Sequence, residues 1–330
     1  GGDRQAGATW PDVSDVARPS GGRAVRGPSA RALPKQRIER SGPVALEGAA
    51  AATAGGKLYS IGGLDASSNS LRTVWVFDGK AWKAGPRLPL GLDHTSAAEL
   101  DGHLYVAGGH NFGRDRAAVY RLDGATWTPV SSMHHARGGH ALLVATGRLY
   151  ALGGNSASAN IAPAEVYDPK SGVWRDLPSL PVPRNHVAGF VVGSDVCVAG
   201  GRAPTTARVD CYDTASSKWL RFANLPVATS GAGATTLPDG SAVVIGGQDA
   251  QETRIVTQVE WLPRPSTWRT VGSMLAPRHG FELAIFQGRA WACGGGSAPG
   301  LFPTRTCPSV SCRGPRSTFG ERLLQHRPKG

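Results

Sequence analysis

Histidines and arginines recur at a regular interval in this 330-residue chain, and both side chains can hold anionic ligands. Four histidines each lie a nearly constant distance before a glycine pair: His94, His140, His186 and His279. Three arginines precede some of them at Arg137, Arg184 and Arg278. A forked guanidinium suits carboxylates and phosphates, so the pattern predicts an anion-binding site where these side chains converge. Because the pattern recurs at a fixed interval, these side chains could instead brace each repeat unit.

The elements that position these side chains are short strands that recur about every 46 residues. An apolar strand ends in a glycine pair six times, at Gly62, Gly108, Gly153, Gly200, Gly246 and Gly294. A strand with an aromatic residue and then a tryptophan follow the first five pairs, with the tryptophans at Trp82, Trp127, Trp174, Trp219 and Trp268. Each unit therefore predicts four short antiparallel strands. Such a sheet cannot cover both of its faces, so units must stack around an axis.

This repeat resembles the kelch repeat over residues 41–312. The resemblance implies an all-β fold, a six-bladed β-propeller. Residues 1–40 and 313–330 are predicted to be irregular basic tails. In the kelch family a strand from the opposite terminus commonly closes the ring. Trp10, in a Gly-Ala-Thr-Trp match to residues 124–127, could supply that strand, and residues 317–324 are the alternative.

In an antiparallel blade, the loop after the second strand and the loop entering the next inner strand lie on the same side of the disc. One face should therefore gather both kinds of candidate ligand contact. The predicted contacts are Arg137, His140, Arg184, His186, Arg202, Arg278, His279, His110, Asn111, Asn155 and Gln248. We expect an anionic or carboxylate-bearing ligand near the axis of this face.

Enzyme chemistry is weakly supported. Galactose oxidase, which resembles this fold, uses tyrosines as copper ligands, but all six tyrosines here are accounted for by the repeat. A sugar-ring isomerase similar to the N-acetylneuraminate epimerases would need an acid or base, and Glu47, Glu99 and Glu282 are candidates without a matched motif. No metal site and no cofactor are predicted, since nothing in the spacing makes histidines from several blades converge.

The cysteines form two pairs with the same separation in the chain, Cys197 with Cys211 and Cys293 with Cys307. Each pair falls on neighbouring strands, so each could be a disulfide or two buried thiols. Cys312 is left over. Disulfides, together with the absence of methionine at Gly1, would favour a secreted protein, and a cytoplasmic one stays open.

Charge is concentrated at the two ends. The net charge is +12, and residues 1–40 and 313–330 together contribute +8 of it. Specific nucleic-acid binding is therefore not expected, and no apolar run is long enough to span a membrane. We expect a monomeric kelch-repeat binding module whose ligand is a protein or a glycan. A fragment of a kelch substrate adaptor is a further alternative.

Overall fold

The computed structural model describes residues 36–39, 41–157, 159–263 and 267–312. Within these ranges the chain forms strands and turns but no helix, and six antiparallel sheets have four strands each. These sheets are the blades of a six-bladed β-propeller, so the predicted all-β fold is confirmed. No helix of the described part offers the length and apolar character needed to cross a membrane. The predicted C-terminal tail, residues 313–330, lies outside the described residues.

The strands are numbered in chain order. The first, β1, is Gln36–Ile38. Blade 1 contains β2 (Ala50–Ala54), β3 (Lys57–Ile61), β4 (Val74–Phe77) and β5 (Trp82–Ala84). Blade 2 contains β6 (Ser96–Leu100), β7 (His103–Ala107), β10 (Val119–Asp123) and β11 (Thr126–Val130), with a small hairpin of β8 (His110–Asn111) and β9 (Arg114–Asp115). Blade 3 contains β12 (Ala141–Ala145), β13 (Arg148–Leu152), β16 (Ala164–Asp168) and β17 (Val173–Leu177), with a hairpin of β14 (Asn155–Ser156) and β15 (Ala159–Asn160).

The remaining blades follow the same order from the axis outward. Blade 4 contains β18 (Ala188–Val192), β19 (Asp195–Ala199), β20 (Val209–Asp213) and β21 (Lys218–Arg221). Blade 5 contains β22 (Gly233–Thr236), β23 (Ala242–Ile245), β24 (Gln258–Leu262) and β25 (Arg269–Ser273). Blade 6 contains β26 (Ala284–Phe286), β27 (Arg289–Trp291) and β28 (Pro308–Ser311), with β1 as its outer strand.

The sixth blade is closed by the N-terminal segment, at a place the sequence analysis did not predict. Gln36 pairs with Val310 and Ile38 pairs with Pro308, so β1 takes the outer position beside β28. The side chain of Gln36 also donates to the Ser273 carbonyl of blade 5 at 2.6 Å. The expectation that the irregular tail extends to residue 40 is therefore wrong at Gln36–Ile38, and Trp10 lies outside the described residues.

The tryptophans join adjacent blades through hydrogen bonds of their indole nitrogens. The indole N–H of Trp127 donates to the Pro86 carbonyl at 2.8 Å, and that of Trp174 donates to the Ser131 carbonyl at 2.9 Å. Both acceptors lie in the segment that connects the preceding blade to the tryptophan's own. A large apolar side chain with one donor fills such a boundary while leaving its polar atom satisfied.

The glycine pairs at the ends of the second strands contact the neighbouring blades. In blade 3, Gly153 and Gly154 have φ angles of 69° and 96°, and the N–H of Gly154 donates to the Arg184 carbonyl of blade 4 at 2.9 Å. A β-carbon on Gly153 would lie only 2.8 Å from that same carbonyl oxygen. Glycine is therefore required by both the backbone angle and the close approach of the next blade.

Candidate functional site

One face of the propeller is formed by the two kinds of loop that the sequence analysis placed together. In each blade, the segment entering the inner strand bridges to the segment that follows the second strand. The six bridged pairs are Glu47–Leu64, Asp93–His110, Gly138–Asn155, Asn185–Arg202, Ser230–Gln248 and His279–Gly296. We call the surface formed by these segments the loop face. The opposite surface, formed by the turns within the blades, is the turn face.

A closed ring of six backbone hydrogen bonds surrounds the axis beside the loop face. Each blade contributes one residue, whose N–H donates to the carbonyl of its counterpart in the preceding blade at 2.7–2.9 Å. The φ angles of the six residues are all positive, from 48° to 66°, a region that favours glycine. The ring members in blade order are Gly48, His94, Gly139, His186, Gly231 and Gly280. Two histidines are thus held at positions where the backbone favours glycine.

The two ring imidazoles lie over the glycines that precede them in the ring. A β-carbon on Gly48 would come within 3.2 Å of His94 Nδ1, and one on Gly139 within 3.0 Å of His186 Nδ1. A side chain in place of either glycine would crowd the imidazole that lies over it.

Each ring histidine is oriented by the residue immediately before it in the chain. Asp93 Oδ1 lies 2.7 Å from His94 Nδ1, and Asn185 Oδ1 pairs with His186 Nδ1. Both contacts direct Nε2 away from the neighbouring side chain. The sequence analysis did not predict Asp93 or Asn185 as site residues, although the pairs Asp-His and Asn-His were the available signal.

Arg202 is the cationic group placed beside the ring. Its Nη2 lies 3.2 Å from Nε2 of His186, and its Nη1 pairs with Glu252 Oε2 at 2.6 Å. Burial is the largest cause that holds the pKa of His186 well below its usual value, so His186 is a neutral acceptor toward Arg202. The Arg202 side chain is still 26% exposed, so a ligand can reach it.

Glu47 and His279 form a second polar group of the loop face. His279 Nε2 lies 3.7 Å from Glu47 Oε1, and the N–H of Phe302 donates to Glu47 Oε2 at 3.1 Å. Burial raises the pKa of Glu47 to about 7 and lowers that of His279. A carboxyl group that titrates near neutral pH can both accept and give a proton. Gln248, also predicted, lies beside His279, with 3.4 Å between its Nε2 and the imidazole Nε2.

The remaining predicted contacts on the loop face belong to blades 2 and 3. His110 Nδ1 lies 2.8 Å from Asp115 Oδ1, and burial is the first cause of a lowered His110 pKa. Asn111 donates to the Gly91 carbonyl at 2.8 Å, so its amide nitrogen already has a partner. Asn155 Oδ1 is buried and has no hydrogen-bond partner within the described residues.

The three predicted arginines lie inside the blades. Arg137 is fully buried and pairs with Glu165 at 2.7 Å, and Arg184 is 1% exposed and pairs with Asp210 at 2.9 Å. Arg278 is equally buried, and its guanidinium donates mainly to backbone carbonyls, including that of Thr306 at 2.9 Å. These contacts are the ones expected of side chains that brace each blade. The acids were a usable signal, since Glu165 and Asp210 both lie two residues before the third-strand tyrosine.

His140 is not equivalent to the ring histidines. It follows the ring residue Gly139, is 5% exposed, and has no hydrogen-bond partner on either ring nitrogen within the described residues. Burial lowers the pKa of His140 to about 3, so its imidazole is neutral. The four histidines differ slightly in their distance to the following glycine pair, and this places them differently relative to the ring. His94 and His186 are ring residues, His279 lies directly before a ring residue, and His140 lies directly after one.

An axial cavity of about 620 Å³ is lined by the inner strands and by the ring. Glu282 of blade 6 enters this cavity, where its carboxylate accepts from the Ala51 N–H at 2.8 Å and from the Ser96 hydroxyl at 2.5 Å. Burial raises the pKa of Glu282 to about 7. Glu99, the third candidate acid, is exposed and accepts from the Gly102 N–H at 2.5 Å. The residues that line the cavity do not include Glu47 or Arg202.

Two exposed aromatic side chains lie on loop-face segments. Phe112, in the β8–β9 hairpin, is 66% exposed, and Phe302, which follows the second strand of blade 6, is 55% exposed. Aromatic side chains surrounded by polar groups are enriched at protein interfaces. The loop face therefore offers apolar anchors beside hydrogen-bonding groups.

The two cysteine pairs of equal spacing form disulfides, which is one of the two states that the sequence left open. Cys197 is joined to Cys211 with a Cα separation of 4.0 Å, and Cys293 to Cys307 with a Cα separation of 4.1 Å. Cys197 and Cys211 are directly opposite each other on β19 and β20. Cys312 is a buried free thiol.

Comparisons with known proteins agree with this architecture. The family model of the Kelch motif matches residues 46–89, 93–134 and 136–181. The chain is 24% identical to Kelch-like protein terF of Aspergillus terreus over 77% of its length, and 29% identical to Kelch-like protein 36 of Rattus norvegicus over 65%. It is 33% identical to Kelch repeat and BTB domain-containing protein 13 of Homo sapiens over 47%. It spans 62%, 37% and 35% of those three proteins, respectively.

A solved structure has the same fold. The structure of YjhT aligns with a TM-score of 0.67 over 81% of this chain and 95% of that one, at 18% sequence identity. At this identity the likeness concerns the fold. The chain therefore has the fold of a six-bladed β-propeller, and it carries Kelch motifs over residues 46–89, 93–134 and 136–181.

Proposed function

We propose that this chain is a binding module that recognises a protein segment on its loop face. The observation that carries the proposal is the combination of exposed Phe112 and Phe302 with polar groups around one backbone ring. The aromatic side chains would bury apolar surface of the partner, and the polar groups would fix its orientation.

The charge of the loop face favours a segment with one carboxylate over a polyanion. Burial lowers the pKa of His110, His186 and His279, so these imidazoles are neutral near pH 7. Arg202, which pairs with Glu252 through Nη1, is a cationic group beside the ring, and a guanidinium binds a carboxylate well. A glycan is the alternative ligand, since amides also bind sugar hydroxyls.

Kelch-like protein 36 and Kelch repeat and BTB domain-containing protein 13 are longer than the part that this chain matches. A substrate-adaptor role, the other alternative, would use the same face for the recognised protein. The loop-face proposal is therefore common to a separate binding module and to the propeller of an adaptor.

The test is a selection of ligands followed by binding to matched variants. A phage-displayed peptide library and a glycan array would be applied to the folded chain, and the dissociation constant of each ligand obtained would be measured. We expect a peptide whose affinity falls at least tenfold in Arg202→Ala and in Phe112→Ser. Lys170→Ala, at an exposed turn-face position, is the control and should bind unchanged. Binding to glycans alone, or equal affinity in all variants, would contradict the proposal.

A second candidate function is acid–base catalysis, because Glu47 has a pKa of about 7 beside His279. Such a carboxyl group could remove and return a proton on a small sugar ring. Incubation with N-acylated sugars in D₂O, followed by proton NMR, would report solvent deuterium entering the ring. Exchange that is lost in Glu47→Gln would favour the enzyme, and no exchange with any sugar would dismiss it.

A further inference from the structure

Two adjacent histidines and an aspartate meet at the outer part of blade 3, apart from the ring. His134 and His135 lie in the segment that enters the inner strand, and Asp176 lies on β17. His134 Nδ1 is 2.9 Å from Asp176 Oδ1, and His135 Nε2 is 3.4 Å from Asp176 Oδ2. All three side chains are between 35% and 53% exposed. Both imidazoles thus converge on one carboxylate that solvent can reach.

A buried ion pair holds the backbone of the two histidines in this arrangement. The carboxylate of Glu165 accepts from the N–H of His134 at 2.6 Å and from the N–H of His135 at 3.2 Å. The same carboxylate pairs with Arg137 at 2.7 Å, and both side chains are fully buried. The Glu165 carboxylate therefore fixes the backbone that carries the imidazoles. A fixed backbone lowers the entropic cost of ordering the two side chains around a ligand.

The donor atoms have the spacing and the chemistry of a transition-metal site. One nitrogen of His134, one oxygen of Asp176 and one oxygen of Glu165 lie within 4.8 Å of one another, and His135 Nε2 lies 3.4 Å from Asp176 Oδ2. Zinc–ligand bonds are about 2.0–2.2 Å long, so donors this close can share one ion. Imidazole nitrogens with a carboxylate suit Zn²⁺, Ni²⁺ and Cu²⁺ better than Mg²⁺ or Ca²⁺.

We propose that His134, His135 and Asp176 bind one Zn²⁺ ion, with Glu165 fixing the two histidines from the protein interior. The oxygens of Glu165 already accept hydrogen bonds from two backbone amides and from Arg137. Glu165 is therefore suited to supporting the two histidines and not to binding the ion itself. Solvent would fill the remaining coordination position. This proposal does not depend on the function of the loop face.

Other parts of the chain supply matched comparisons. His103 and Asp123 form an exposed histidine–aspartate pair at 3.3 Å, but a single imidazole takes part. Blade 4 repeats the buried pair, as Arg184 with Asp210, but the segment beside it carries Leu180, Pro181, Val182 and Pro183 where blade 3 has its histidines. Blade 3 differs from these two places because it combines two imidazoles with a buried ion pair that holds their backbone.

The test is isothermal titration of the metal-free chain with ZnCl₂ at pH 7.5. We expect one Zn²⁺ per chain, and at least a tenfold weaker affinity in the double variant His134→Ala/His135→Ala and in Asp176→Asn. His103→Ala is the control and should bind like the unchanged chain. The substituted side chains are half-exposed, so a thermal melt should show that each variant is folded.

Two results would overturn the proposal. One is a zinc affinity that is the same in the unchanged chain and in the double variant. The other is zinc binding that is lost in His94→Ala/His186→Ala instead, which would assign the ion to the ring. Absorption by bound Co²⁺ in place of Zn²⁺ gives a second readout, since a coordinated ion has visible bands that must disappear in the double variant.

Discussion

The imidazole rings of His94 and His186 lie 5.0 Å apart, although they belong to blades 2 and 4. The residue between them in the backbone ring is Gly139 of blade 3. Because Gly139 has no side chain, the His186 imidazole can lie over it and reach toward His94. The loop face thus depends on a glycine that does not itself contact a ligand.

A substitution at Gly139 should therefore cost more than one at a glycine that is strained but unobstructed. Gly139 and Gly147 have similar φ angles of 59° and 69°, but a β-carbon on Gly147 would meet nothing within 4 Å. Gly147→Ala should lower the free energy of unfolding by about 1–2 kcal/mol through backbone strain alone. Gly139→Ala should lower it further and weaken ligand binding as well. Urea denaturation of both variants checks this, and equal losses would show that the contact with His186 is unimportant.

The buried pair of Arg137 and Glu165 should stabilise the fold far more than an exposed pair. Arg137→Ala leaves the Glu165 charge buried, and we expect a loss of about 3–5 kcal/mol. Arg148 and Asp168 form a half-exposed pair at 3.0 Å, so Arg148→Ala should cost no more than about 1 kcal/mol. Denaturant unfolding of the two variants compares them. A small and similar loss for both would mean that Arg137 does not brace blade 3.

Glu47 should make the folded chain less stable as the pH rises from about 4.5 to about 7. Its pKa is near 4.5 when exposed and about 7 in the folded chain, so the folded state holds more protons in that window. By linkage the free energy of unfolding then falls with rising pH. Relative to the unchanged chain, Glu47→Gln should gain about 1–3 kcal/mol between pH 4.5 and 7. Glu99→Gln, at an exposed carboxyl, is the control. Parallel pH profiles for Glu47→Gln and the unchanged chain would contradict the raised pKa.

The blade order could be predicted because each blade repeats the same local signals. Glycine pairs, a third-strand aromatic residue and an outer-strand tryptophan fix the strands and the boundaries between blades. The closing strand at Gln36–Ile38 was missed because three residues without a tryptophan carry no pattern. The position of this short edge strand is set by its pairing with β28, which lies far away in the chain. The residues around Gln36 therefore do not reveal it.

The candidate site was less predictable because a shift of one residue along the chain changes the surroundings of a side chain completely. The distances from His140 and His186 to their glycine pairs differ by a single residue, yet one histidine is buried behind the ring and the other is part of it. The three arginines share a sequence pattern with ligand contacts, but their burial depends on acids and carbonyls brought in from other strands. Asp93 and Asn185 were not predicted because their contacts with the ring histidines depend on the geometry of the ring.

Hydrogen–deuterium exchange of the chain with and without a selected peptide tests the central claim most directly. We expect slower exchange in loop-face segments, particularly residues 108–116 and 200–206, when the peptide is bound. Residues 146–148 and 169–172, which form turns on the turn face, should exchange at the same rate in both samples. Protection confined to those turns, with none in the loop-face segments, would contradict the assignment of the loop face as the binding surface.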